Sequence, residues 1–240
     1  MTTRRVRLLA PFALATALLV TSCSSTDGDA SPAASSATSS SPAATSPEPA
    51  PAEAEESAAA ALDPTAVTSP DEAALASAMR VADLPEGWDV QSNPVEDGDL
   101  SDNPSFEGLC ETSFPSEARR TAKFPVVAVD ETGSPQLTSE SISYDGADAA
   151  AQALAELRTA FAGCESADRT FVTPPSSEGL TADSVVVQYQ LSTGTPQVIV
   201  AQARGTVVSV VIGDDPDATL SAARSIAARM AQLPAAVIGA

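Results

Sequence analysis

"DSVVVQYQLSTGTPQVIVAQARGTVVSVVI", residues 183–212, decides the fold. In its first part Val185, Val187, Tyr189 and Leu191 alternate with Val186, Gln188 and Gln190, the period of two that gives a strand two unequal faces. "PQVIVAQA" and "TVVSVVI" follow as two more strands joined by a tight turn at Arg204-Gly205. Both are apolar on each face, which is the character of central strands covered by helices on both sides.

The flanking segments supply those helices and more strands. "TAKFPVVAVDE" (121–131) and "QLTSESISYD" (136–145) read as a strand pair joined at Gly133-Ser134. In "GADAAAQALAELRTAFAGC" (146–164), Ala150, Leu154, Leu157 and Phe161 form one apolar helical stripe, and Gly163 stands at the expected C-cap. "SPDEAALASAMRVADLPEGW" (69–88) opens with a cap-like Ser69, Pro70 and two acids, and Leu75, Met79 and Ala82 recur at helical spacing. Pro85 and Gly87 then turn the chain toward Trp88. A last helix starts near Asp215 and carries Leu220, Ala223, Ala227 and Met230 on one face. The order α-β-ββ-α-ββββ-α, with short connections in the second half, predicts an α+β domain: a central antiparallel sheet flanked by helices.

Composition limits where that domain starts and what it does. Residues 24–69 are almost wholly Ser, Ala, Thr, Pro and acid, with Leu62 and Val67 as the large apolar residues. Such a stretch buries too little surface to offset its ordering entropy, so it reads as a disordered, Pro-rich tether before a folded region at 70–240. After Cys23 the chain holds nine basic against 32 acidic residues. No basic stripe exists to displace counterions from phosphates, so nucleic acid is excluded as a partner. The absence of histidine excludes Ser-His-Asp and Cys-His catalysis and histidine-ligated zinc, and Lys123 is the single lysine.

The amino terminus sets the expected location. "MTTRRVR" is basic, and "LLAPFALATALLV" is an apolar run with the proportions of a signal-peptide core, too short for a typical spanning helix. It runs into "VTSC", Val20–Cys23, which resembles the bacterial lipobox. That resemblance implies cleavage of residues 1–22 and lipid attachment at Cys23, leaving 23–69 as a lipid-anchored linker on the extracytoplasmic face of the cell membrane. Two acyl chains at about 0.8 kcal/mol per buried methylene hold a protein there where one does not. With Cys23 taken by lipid, Cys110 and Cys164 remain, and in an oxidising space an even remainder predicts one disulfide.

The whole layout, from "DLPEGW" (83–88) through a cysteine, a strand pair, the helix ending in "FAGC" and the closing strands and helix, resembles the PknH-like extracellular sensor domain. That family occurs on mycobacterial-type receptor kinases and as free-standing envelope lipoproteins. The resemblance implies a cleft for a ligand and supplies no catalytic residues. This chain departs from the kinase form in having no kinase domain and one cysteine pair where that sensor has two.

The expected role is therefore a non-enzymatic, monomeric envelope protein without cofactor. Its domain binds a small molecule, lipid, glycan or protein, with Trp88, Tyr144 and Tyr189 as candidates for the cleft. For Trp88 core packing beside the first helix is the favoured reading over a place at a cleft mouth. Two other readings stay open: a hydrolase or transferase of wall polymers using paired carboxylates, and an adaptor for another envelope protein. Glu96, Asp97, Asp99 and Asp102 have calcium-type oxygens but no complete loop pattern. Asp214, Asp215 and Asp217 read as a helix start. Arg119, Arg120 and Lys123 form a tight cationic group, read by default as a solvated strand entrance and alternatively as a contact for an anionic wall polymer.

Overall fold

The computed structural model describes residues 62–92, 103–106, 110, 112–164 and 168–240. Residues 1–22, expected to be a signal peptide, Cys23, most of the expected linker and the acidic residues at 96–102 lie outside the described residues.

The described strands form one seven-stranded sheet, all pairs antiparallel. They are β1 (Asp89–Ser92), β2 (Arg120–Val129), β3 (Pro135–Tyr144), β4 (Arg169–Val172), β5 (Asp183–Leu191), β6 (Pro196–Arg204) and β7 (Val207–Gly213). The spatial order is β1-β2-β3-β7-β6-β5-β4. Two meanders thus meet where β3 pairs with β7, Leu137 opposite Gly213 and Ser143 opposite Val207. The helices are α1 (Pro70–Ser77), α2 (Ala147–Gly163), α3 (Pro216–Met230) and the short α4 (Ala235–Ile238). The α+β architecture expected from the sequence is the one observed.

Each sheet face has its own core. On one face α1, α3 and α4 cover Val126, Leu137, Val198, Val200, Val207 and Val211. On the other, α2 packs Ala153, Leu154, Leu157 and Phe161 against Ile142, Val185, Ile199, Val208 and Val210. Among the described residues, both cores are built from Leu62 onward, so a fragment spanning residues 62–240 contains the described members of both.

Local chemistry fixes the helix ends. The Ser69 hydroxyl accepts from Glu72 N at 3.2 Å, and the Glu72 carboxylate accepts from Thr68 N at 2.7 Å, a reciprocal cap. Asp215 caps α3, its Oδ1 accepting from Asp217 N and Ala218 N at 2.9 and 3.0 Å. α1 lies close on the sheet because it presents Ala73, Ala74 and Ala76, all fully buried. The sheet answers with serines: Ser141 Oγ donates to Ala74 O at 2.6 Å, and Ser143 Oγ to Asp71 Oδ1 at 2.6 Å.

Four expectations need correction. Leu62 and Val67, expected in the linker, pack on the first core, so residues before 70 take part in the fold. α1 stops at Ser77 instead of running to Ala82: Ala78 turns to ψ 150°, and a 3-10 turn at Val81–Asp83 takes over, with Arg80 N donating to Asp83 Oδ2 at 2.8 Å. The β6–β7 turn sits one residue later, at Gly205-Thr206, because Arg204 still pairs with Val207. Gly163 is the last helical residue of α2, and Cys164 is the C-cap.

Candidate functional site

α2 does not cover the whole of its sheet face. Where it ends, at Leu157 and Phe161, a cavity of about 340 Å³ opens over β3, β7 and β6. Its floor is Ile199, Val210 and Ile212, and Phe106 closes one side, its ring 5.2 Å from that of Phe114. Its polar side chains are Ser105, Thr138 and the one charged group, Glu140, and Ser139 of the intervening strand position also borders it.

The strand period explains why Glu140 points here. Thr138, Glu140 and Ile142 alternate with the serines that face α1, so all three stand on the α2 side. Behind Glu140 lies Lys123, 2% exposed at its side chain, its ammonium donating to Asn103 O at 2.6 Å and Glu140 Oε1 at 3.3 Å. Burial pushes the Glu140 carboxyl above its usual range, and the Lys123 charge opposes that shift without cancelling it. Arg120 ties the same corner together, donating to Asn103 O at 2.7 Å and pairing with Glu117 at 3.2 Å.

The three cationic residues that stood close in sequence are thus all engaged. Arg119 pairs with Asp145 at 2.8 Å and Asp148 at 2.6 Å, Arg120 with Glu117, and Lys123 with Glu140. They do not present a shared anion-binding face.

The aromatic candidates do not line this cavity. Trp88 is half-buried and packs on the opposite core, beside α1. Tyr144 is fully buried among Phe106, Phe114 and α2 residues, and burial raises its phenol out of the titrating range. Tyr189 is also buried. Its hydroxyl donates to Gln197, whose amide donates to Asp214 at 2.9 Å, while Arg169 lies 5.2 Å from its ring centroid. Asp214 and Asp215 are therefore occupied with a side-chain amide and a helix cap, and among the described residues no cluster of three metal-ligating side chains occurs.

Cys110 and Cys164 are disulfide-bonded, as the cysteine count predicts. The bridge ties Cys110 to the C-cap of α2, three residues past the cavity residue Phe161. A second hollow of about 500 Å³ lies between residues 179–183 and the C-terminal half of α3. It is more open, is walled mainly by alanines, and its charged groups are already engaged: Arg204 with Met230 O and Leu233 O, and Asp183 with Arg158.

No helix among the described residues is long and apolar enough to cross a membrane. No family model matches the chain, and no curated protein does. Among solved structures it is similar to the extracellular domain of PknH from Mycobacterium tuberculosis, at 16% identity over 59% of this chain and 75% of that one, with a TM-score of 0.38.

Proposed function

We propose that this is a lipid-anchored, extracytoplasmic binding protein with a sensor-like domain that holds a small, largely apolar ligand in the cavity at the end of α2. The cavity carries the proposal: an apolar floor, a phenylalanine wall and one carboxylate, at a volume within the roughly 300–1,000 Å³ of small-molecule sites. The Cys110–Cys164 bridge supports an oxidising compartment, and "VTSC" supports the anchor at Cys23. The hydrolase reading requires two carboxylates facing one cleft; the lining of this cavity supplies Glu140 alone.

The test uses a fragment spanning residues 62–240, incubated with envelope extract, re-isolated and examined by native mass spectrometry. The fragment is expected to retain a small molecule that a Val210→Phe variant, with its cavity filled, does not. Equal retention by both, or by neither, contradicts the reading. Anchoring is tested separately: palmitate labelling of the full chain in cells is expected to disappear in Cys23→Ser.

A further inference from the structure

We infer that the cavity at the end of α2 selects ligands whose polar end donates a hydrogen bond and carries no negative charge, so that carboxylate and phosphate heads are rejected. This deepens the reading of that cavity as a ligand site and rests on it.

The argument is the asymmetry of the Lys123–Glu140 pair. Glu140 belongs to the cavity wall and its side chain is 27% exposed, so it is the charged group of the pair that a ligand in that space can reach. Lys123 is not in that wall. It is 2% exposed and directs its ammonium to Asn103 O and to Glu140 Oε1. A ligand head therefore meets the carboxylate and not the cation that balances it. A carboxylate accepts hydrogen bonds and donates none when ionised, so it matches a hydroxyl, an amide N–H or an amine. An anionic head brought against it suffers like-charge repulsion in a poorly solvated setting and also loses its hydration.

The rest of the site does not offset that penalty. The Ser105 hydroxyl already accepts from Arg120 Nη1 at 3.2 Å, Thr138 offers one that serves either sign, and the wall groups that meet an apolar chain include Phe106, Leu157, Ile199 and Ile212. Nearby, Arg120 is held by Asn103 O and Glu117. The chain as a whole carries a formal charge of −20, which adds long-range repulsion of the same sign.

The experiment compares 1-octanol, octylamine and octanoate, three probes with one apolar chain and different heads, binding to the 62–240 fragment at neutral pH. Octanol and octylamine are expected to bind, and octanoate at least about tenfold more weakly. In a Lys123→Met/Glu140→Gln double variant, which leaves no unpaired buried charge, that gap is expected to shrink to about threefold or less. Lys123→Met/Glu140→Met, which also leaves no unpaired buried charge, serves as the second variant if the first does not fold. Octanoate binding as tightly as octanol overturns the selectivity and leaves the cavity as a ligand site. Failure of all three probes overturns both. A gap unchanged in a folded variant overturns the assignment to Glu140.

Discussion

Asp83 and Arg229, 146 residues apart in sequence, form a two-pronged ion pair. Arg229 Nη1 and Nη2 donate to Asp83 Oδ1 and Oδ2 at 2.8 and 2.7 Å, with both side chains largely buried. The pair joins the 3-10 turn after α1 to the last turn of α3. Arg229 Nη2 also donates to Ala78 O at 3.0 Å, and Asp83 Oδ2 also accepts from Arg80 N. One carboxylate thus ends α1 where it ends and fixes α3 to it. Asp83→Ala strands a buried guanidinium and is expected to cost about 3–5 kcal/mol in urea unfolding. A loss below about 1 kcal/mol would show that the pair is not structural.

The disulfide closes a long loop across a sequence separation of 54 residues. The chain-entropy model gives such a loop about 4 kcal/mol. For a domain of this size that corresponds to a fall in Tm on the order of 10 °C in a Cys110→Ser/Cys164→Ser variant. Thiol titration of the unfolded, unreduced 62–240 fragment is expected to find no free thiol. Two free thiols would remove the bridge from the account.

Glu140 makes stability depend on pH in an uncommon direction for a carboxylate. Its folded value is raised, so between the usual glutamate value of 4.5 and that raised value the folded state binds more protons than the unfolded one. Its contribution is fully present below the unfolded value and is lost as pH rises through the folded value. The difference in Tm between the wild type and Glu140→Gln should therefore shift against the wild type as pH rises from 4 to 7. A difference that moves in the wild type's favour over that range would mean that Lys123, and not burial, governs this carboxyl.

The β6–β7 turn has no room for a side chain. Gly205 has φ +58°, and a Cβ there would stand 2.1 Å from Ile238 O, the carbonyl that accepts from Thr206 N at 2.8 Å. Gly205→Ala combines left-handed backbone with a backbone clash and is expected to destabilise the domain by at least about 2 kcal/mol. Gly133→Ala, also at positive φ but in open space, is expected to cost less, about 1 kcal/mol. Equal losses would show that the contact with the carboxyl-terminal segment is unimportant.

Much of the fold was legible because local rules and burial agree. Val185, Val187 and Tyr189 alternate with Val186, Gln188 and Gln190 and do face one core, Ser69 and Asp215 do cap their helices, and the strands apolar on both faces are the central ones. The departures arise where distant residues intervene. Nothing near Ala78 announces the end of α1, because the group that organises that end, Asp83, is itself held by Arg229 from the far end of the chain. The short edge strand Arg169–Val172 has too few residues to show an alternation. The cavity was less legible still. It depends on β3 lying next to β7, a pairing between separate meanders, and on α2 stopping short of the strand ends. The aromatic residues that suggested a cleft serve the two cores instead. The one available signal was Glu140, a charge in mid-strand among serines, on the face of Ile142.

The central claim is that the space beside Glu140 is a ligand site. Titrating the methyl-labelled 62–240 fragment with 1-octanol and following isoleucine methyl resonances tests it most directly. Ile199 and Ile212 line the cavity, whereas Ile226 and Ile238 lie in the other core. Saturable shifts confined to Ile199 and Ile212 are the predicted result. No shifts, or shifts led by Ile226 and Ile238, would contradict it.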